Sequence, residues 1–430
     1  MALLGFVVRA VYGVFVHPPF DFLISDMATY AARAQRLVDR PWTPTPSATF
    51  YPYGTHYLVA LGRVLGGPRP DLGVALLYAA MGALGAAFYF LAARELLPGR
   101  PRLTRALGIV FALHPIWIAL GGFVLSETPF TACLAASTYF ALRLARPDPV
   151  RPFAAAVGLG LSFAIGMTIR PQILVSLPFL LVACLRRPRP AALSLKAWVA
   201  VLAPLALVTA FSAARMRFHT GELGFVSKNG AFNFAFGRCH ARQIFATKPK
   251  ESYQPPSFRA LALYEEKHGM KPFPELDPAL GEELTLPGPV WDEQAARDLA
   301  KRCMAKTGPL RQAKYALTHV LLLFTYTIAF PLKGVPILVT SIVSTVLIVP
   351  AFLIALFRAV RRRELGERVL SAHLLGLVVT AMVFFGEVRL RVPYDGVLIL
   401  LTALYATHAL AWFRARKGRN APPADVAVLG

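Results

Sequence analysis

Residues 72–93 read LGVALLYAAMGALGAAFYFLAA, twenty-two positions without a charge, and Arg94, Arg100, Arg102 and Arg105 follow at once. About 20 apolar residues are enough to cross a bilayer as a helix, and arginines in a short loop mark the cytoplasmic side. This stretch therefore reads as a membrane span with a known direction, and the rest of the chain repeats it. Further apolar runs lie at 104–125, 128–142, 152–169, 171–185, 195–214, 335–357, 369–386 and 393–413, with a shorter one at 2–17 that contains Arg9. Hydrophobic residues make up 56% of the chain and charged ones only 16%, with a mean hydropathy of +0.52. A soluble domain carries about 25% charged residues. The expected fold class is an all-α polytopic membrane protein of about ten spans, with outer juxtamembrane helices and one larger outer loop.

The net charge of +23 first suggests a nucleic-acid partner. No basic helix or aromatic platform accompanies it, and the charge concentrates in short loops between spans. Those loops carry Arg143, Arg146 and Arg151; Arg186, Arg187, Arg189 and Lys196; Arg358, Arg361, Arg362, Arg363 and Arg368; and Arg414, Arg416, Lys417 and Arg419. Ten spans place every such cluster and both termini inside, and the Ala- and Arg-rich composition with compact loops points to a bacterial inner membrane, with the active face toward the periplasm. A signal peptide is the rival reading of 2–17, but His17, Pro18 and Pro19 offer no small-residue cleavage site, so a retained helix is expected.

Three domains follow: an N-terminal transmembrane module over 1–214, an outer loop subdomain over 215–334, and a C-terminal transmembrane module over 335–430. Within the first, the outer segment 18–71 holds Asp26 before an amphipathic helical stretch that Ser25 would cap, then an apolar stretch at 55–66 too short to span. In the second, Asn229-Gly230 signals a turn, 249–289 reads as irregular, and 291–306 and 310–329 read as helices. Cys239 and Cys303 both fall in this loop, where a disulfide is compatible with an oxidising compartment. The last outer stretch, Glu387-Val388-Arg389-Leu390-Arg391, spaces two arginines by two. If extended, it points both guanidiniums to one side as a fork for a phosphate.

An ionisable residue beside a span is costly unless paired or hydrated, and marks a functional site. On the outer face these are Asp26, Glu127, Arg170, Glu387, Arg389 and Arg391. Their order carries a resemblance: Asp26-x-x-x-Tyr30, Tyr51-Pro52-x-Gly54, Ser126-Glu127-x-x-Phe130, Thr168-x-Arg170-Pro171, Asn229-Gly230-x-x-Asn233 and Glu387-x-Arg389-x-Arg391-x-Pro393. The pattern resembles the glycosyltransferase C superfamily, in the branch of protein O-mannosyltransferases and lipid A aminoarabinose transferases (glycosyltransferase family 39-like), over nearly the whole chain.

The resemblance implies transfer of a sugar from a polyprenyl-phosphate donor to an acceptor hydroxyl, with inversion, on the outer side. It implies Asp26 as the general base and Glu127 as a second catalytic acid. Orienting the acceptor, holding a divalent cation with Asp26, and capping a helix all stay open for Glu127; no cofactor is otherwise expected. Arg170, Arg389, Arg391 and Lys228 are the donor-phosphate candidates. Tyr30, Tyr51, Tyr53, His56, Asn229, Asn233 and Glu387 are candidates for the sugar or acceptor pocket, with packing at the membrane interface as the other reading of the aromatics. The aminoarabinose branch has an acidic–basic pair before its prolines where this chain has Phe50 and Tyr51, which counts against copying its metal and its substrate. The expected partners are a lipid-linked sugar, a lipid, glycan or protein acceptor, and membrane lipids.

Two rivals come from other classes. A transporter places its ionisable groups near the midplane between repeats, whereas the span interiors here are nearly free of acids and bases apart from Arg9, His114, His319 and His373. An O-antigen-type polymerase or ligase would also use outer arginines on a lipid diphosphate, but would not need Asp26 followed by Tyr-Pro-x-Gly.

Overall fold

The computed structural model describes residues 1–24, 26–146, 149–185, 194–239, 244–246, 280, 284–286, 291–325, 332, 334–358 and 364–416. The Ser25 cap, most of the irregular 249–289 stretch, and Arg186, Arg187, Arg189, Arg361, Arg362, Arg363, Lys417 and Arg419 lie outside them. In chain order the helices are α1 (Ala2–Val11), α2 (Asp26–Asp39), α3 (Gly54–Gly66), α4 (Pro70–Leu96), α5 (Pro101–Ala112), α6 (Pro115–Gly121), α7 (Glu127–Leu144) and α8 (Pro152–Ile169). There follow α9 (Ser176–Leu185), α10 (Leu195–Thr220), α11 (Asn229–Arg238), α12 (Glu293–Leu322), α13 (Val335–Phe357), α14 (Leu365–Val383), the single turn α15 (Val388–Arg391) and α16 (Asp395–Arg416). One parallel pair, β1 (Ile244–Ala246) with β2 (Leu284–Leu286), sets Ile244 opposite Leu284.

The protein is an all-α polytopic membrane protein, and each of the ten apolar runs is helical. Among the described residues, seven helices are long and apolar enough to cross a membrane. The runs at 2–16 and 171–184 are shorter. The tenth, α7, is almost wholly buried in the bundle, including Glu127, Ser137 and Thr138. A helix shielded from lipid on most sides can carry hydroxyls that bond back to its own carbonyls, as Ser137 and Thr138 do to Leu134.

Helix α4 is the hub, packed against α1, α3, α5 and α7. Its buried residues include Ala79, Gly82, Ala83, Gly85 and Ala86, and small side chains let helix backbones approach closely where lipid provides no hydrophobic drive. Arg9 explains its own presence in the first span. The helical ladder breaks between α5 and α6, where Pro115 cannot donate, and Arg9 Nη1 donates to Ala112 O at 2.6 Å and to Gly5 O at 3.0 Å.

The loop subdomain departs from expectation at two points. Asn229-Gly230 is not a turn but opens α11; Lys228 N–H bonds Thr49 O at 2.8 Å, which ties the helix entry to the first outer segment. The two patterns expected at 291–306 and 310–329 meet in one element, α12, which runs to Leu322 and is kinked at Gly308 (φ 71°) before Pro309, while 326–329 lie outside the described residues. Cys239, after α11, and Cys303, in α12, are joined by a disulfide and fully buried. The bridge closes a separation of 64 residues. Reduction or Cys303→Ser is expected to cost this subdomain about 2–4 kcal/mol, read as a lower melting temperature under reducing than under oxidising conditions.

Candidate active site

Four span ends meet at one end of the bundle. Helix α7 begins with Glu127, whose charge suits a helix N-terminus. Helix α8 stops at Ile169 because Arg170 precedes Pro171, and a residue before proline is driven to extended geometry; Arg170 has φ −145° and ψ 101°. That turn swings its guanidinium onto α7, with Nη2 at 2.5 Å from Glu127 Oε1 and Nε donating to Ser126 Oγ at 2.8 Å. Arg389 arrives from the far end of the sequence. Its Nη2 donates to Asp26 Oδ2 at 2.8 Å, and its Nε lies 2.5 Å from Glu127 Oε1. Asp26, Arg389, Glu127 and Arg170 thus form a continuous network of two carboxylates and two guanidiniums.

The loop that delivers Arg389 is clamped by two glycines. A Cβ on Gly237 would fall 1.5 Å from Phe384 O, and one on Gly386 would fall 1.6 Å from His319 O. Gly386 N–H also bonds His319 Nδ1 at 3.1 Å. Helices α11 and α12 therefore grip residues 384–386 on bare backbone.

Asp26 accepts a second hydrogen bond, from the Tyr51 hydroxyl at 2.8 Å. Burial works to raise this carboxyl, but Arg389 and Tyr51 outweigh it and hold Asp26 below its ordinary range. Asp26 is therefore ionised at neutral pH. Glu387 goes the other way, raised chiefly by burial despite Arg389 nearby. Tyr30 is buried with its ring 5.2 Å from that of Tyr51, and burial, together with the Asp26 charge, raises its phenol.

Arg391 does not join Arg389. Residues 388–391 form a helical turn rather than an extended stretch, and at 3.6 residues per turn two positions apart point to nearly opposite sides. Arg391 is fully buried, with Nε 3.0 Å from Asp395 Oδ1, Nη1 donating to Thr345 Oγ1 at 3.1 Å, and its guanidinium over Phe324. The expected arginine fork is not formed. Lys228 is likewise drawn aside, to Glu222 Oε2 at 2.8 Å. Asn229 Oδ1 accepts from Ser227 Oγ at 2.9 Å, and Asn233 sits on the next turn of α11.

A second group of cations was not singled out from the sequence. Arg33, one face of α2 along from Asp26, lies with its guanidinium 5.0 Å from the centre of the Tyr51 ring and donates to Ser47 O. Arg215, on α10, stacks over Tyr53 at 4.8 Å and donates to Ala48 O at 2.9 Å. Tyr53 is fixed by Ser212, hydroxyl to hydroxyl, at 2.9 Å. His56 is buried, and burial with the charges of Arg33 and Arg215 holds its imidazole far below the ordinary range, hence neutral. Burial brings Arg33 down to about 10, so it stays charged. Among the described residues no carboxylate comes within ion-pair distance of Arg33 or Arg215. The sequence did hold one signal: Arg215 stands at the opposite end of α10 from Lys196 and its basic loop, against the clustering of basic residues on one side.

Phe50 and Tyr51, where the aminoarabinose branch has an acid and a base, have definite places. Phe50 packs edge-on against Phe232 of α11, and Tyr51 links the Asp26 network to the Arg33 group. A cation shared by Asp26 and Glu127 does not fit this arrangement, because the Arg389 guanidinium already bridges the two carboxylates. Among the described residues no three histidine, cysteine or carboxylate groups gather to supply more ligands.

The family model described as dolichyl-phosphate-mannose-protein mannosyltransferase matches residues 51–213, which include Tyr51, Glu127 and Arg170 but not Asp26, Arg215 or Arg389. No curated protein matches the chain in sequence. Among solved structures, the chain is similar to the oligosaccharyltransferase AglB from Archaeoglobus fulgidus, in complex with an inhibitory peptide and a dolichol-phosphate. That pair has 16% identity and a TM-score of 0.48, over 97% of this chain and 52% of that one. It is also similar to ArnT from Cupriavidus metallidurans bound to undecaprenyl phosphate, at 16% identity and a TM-score of 0.37 over 98% of this chain and 80% of that one. The chain thus spans about half the length of AglB. The family match covers 163 of the 430 residues, and over that stretch the chain is similar to the dolichyl-phosphate-mannose-protein mannosyltransferases.

Proposed function

We propose that the protein is an inverting membrane glycosyltransferase that moves a sugar from a polyprenyl-phosphate donor to an acceptor hydroxyl on the outer, periplasmic side, with Asp26 as general base. The observation that carries this reading is an ionised, mostly buried carboxylate, Asp26, one aromatic ring away from arginines that no carboxylate pairs with among the described residues. The acceptor oxygen forms a bond to the anomeric carbon while the bond from that carbon to the phosphate oxygen breaks. The acceptor proton passes to Asp26, and the lipid phosphate leaves with the electron pair and one more negative charge. Arg389 and Tyr51 fix the carboxylate, and Glu127 and Arg170 hold Arg389, so the base is positioned before substrate arrives.

Charge balance supports one seat for the phosphate over another. Arg170 and Arg389 are already neutralised by Glu127 and Asp26. Among the described residues no carboxylate pairs with Arg33 or Arg215, and a cation held away from water without a counter-charge is costly beside a membrane. A phosphate seated between them relieves that cost, and the interaction grows as the leaving group gains charge. This assigns donor binding to Arg33 and Arg215 and leaves Arg170 and Arg389 as positioning residues.

The test is transfer of radiolabel from a panel of polyprenyl-phosphate sugars to lipid and protein acceptors by purified protein. Transfer from at least one donor is expected; none from any donor would sink the reading. With an active donor in hand, Arg33→Gln and Arg215→Gln are each expected to weaken donor binding by about ten-fold or more, as for a lost charge-assisted hydrogen bond. Lys228→Ala is expected to leave it within two-fold. Donor affinity unchanged in both arginine variants would return the phosphate to Arg170 and Arg389.

A further inference from the structure

At the opposite end of α4 and α7 lies a cavity that sugar transfer does not use. It encloses about 240 Å³ and is lined by Leu91, Arg94, Glu95, Tyr139, Arg143 and Arg146. On α7, Arg143 lies 16 residues beyond Glu127, about 24 Å along a helix axis at 1.5 Å per residue. The two sites therefore stand nearly a hydrocarbon thickness apart, on opposite faces of the bundle.

The lining is built rather than incidental. Arg143 Nη1 takes the Tyr139 hydroxyl as acceptor at 2.5 Å, and its Nε donates to Val150 O at 3.1 Å. The Tyr139 ring is wedged between Phe88, at 5.9 Å, and Phe140, at 5.0 Å, so the tyrosine and its arginine are held from behind. Arg146 Nε lies 2.5 Å from Glu95 Oε2. Arg94 is exposed at the rim, with no ion-pair partner among the described residues.

The charge around the cavity selects the ligand. Among the described residues that line it, three guanidiniums accompany one carboxylate. Helices α4 and α7 both end here, and each C-terminus adds roughly half a negative charge. What remains is close to one positive charge, which matches a singly charged phosphodiester better than a phosphate dianion. At about 30 Å³ per water the space holds roughly eight waters, enough for a phosphate with adjoining carbons. Leu91 lies one turn of α4 before Glu95 and supplies an apolar wall on the bilayer side. Basic pockets between transmembrane helices at the membrane surface are suited to anionic headgroups.

We infer that this cavity binds the phosphodiester headgroup of an anionic phospholipid, with Arg94 and Arg143 as its main contacts, independently of the transfer site. Native mass spectrometry of detergent-purified full-length protein tests it, with phosphatidylglycerol, phosphatidylcholine and inorganic phosphate added in separate titrations. Wild type is expected to retain phosphatidylglycerol in preference to phosphatidylcholine. Arg94→Gln/Arg143→Gln is expected to lose about 30-fold in affinity, at roughly one surface arginine's contribution each. Arg94→Lys/Arg143→Lys should stay within a few-fold of wild type. Should the double glutamine variant not fold, the single Arg94→Gln change at the exposed rim is expected to lose about five-fold. Equal retention by wild type and glutamine variants would overturn the site. Displacement of bound lipid by millimolar inorganic phosphate would overturn the phosphodiester assignment, and no preference between the two lipids would overturn the anionic one.

Discussion

Replacing Asp26 with asparagine is expected to lower the rate of sugar transfer by about 10²- to 10⁴-fold, the usual contribution of a positioned general base, while donor affinity changes only a few-fold. The substitution keeps the shape of the side chain and its acceptor for Tyr51, and removes the charge that takes the acceptor proton. Arg389 keeps Glu127 as a partner, so the network loses one ion pair without collapsing. Single-turnover transfer and donor binding measured on the same preparations separate the two effects. Transfer within ten-fold of wild type would remove Asp26 from the mechanism. The pH profile supplies a second check with a definite sign. The active form is the carboxylate, and Asp26 is held below its ordinary range, so activity should fall only as pH drops below about 4. Between pH 5 and 8 the acid side of the profile should be flat. A limb well above 4.5 would instead point to Glu387, which burial shifts upward.

The largest effect on stability is expected at Asp395. Asp395→Asn leaves the fully buried Arg391 without its carboxylate, and breaking a buried pair by removing one partner costs about 3–5 kcal/mol. Thr345 remains as a hydrogen-bond acceptor for Arg391, but a hydroxyl does not balance a charge. Replacing both members, as Arg391→Met with Asp395→Leu, is expected to recover most of the loss, because burying no ion pair is often no worse than burying a good one. Thermal unfolding in one detergent, with the single and double variants side by side, reads the difference. A single variant as stable as wild type would mean that the pair is hydrated rather than buried. Transfer activity of the recovered double variant should persist, since Arg391 faces away from Asp26.

Much of this architecture was legible residue by residue. Each apolar run became a helix because length and composition suffice to specify a membrane helix, whatever it packs against. The run at 128–142 is helical as expected but is not among the seven helices long and apolar enough to cross a membrane, and its hydroxyls bond within the helix. Asp26, Glu127, Arg170 and Arg389 stood out because charge at a span end is costly and so conspicuous, and the structure brings all four into contact. The misreadings share a different origin. The arginine fork failed because a two-residue spacing points one way in a strand and nearly the opposite way in a helix, and the stretch is too short to declare which it is. Asn229-Gly230 is a turn signal only where no neighbour completes a helix around it.

By itself, then, the sequence determined the membrane class, the spans and the face on which chargeable groups collect, because these depend on local composition and on the cost of charge near lipid. Only the tertiary structure decided which charges neutralise one another. Asp26 and Arg389 lie 363 residues apart, and Arg33 and Arg215 come to adjoining carbonyls, Ser47 O and Ala48 O, only because α2 and α10 both pack on the segment between α2 and α3. A guanidinium with a carboxylate beside it and one without are identical in sequence, and only their three-dimensional neighbours separate a structural ion pair from a seat for phosphate.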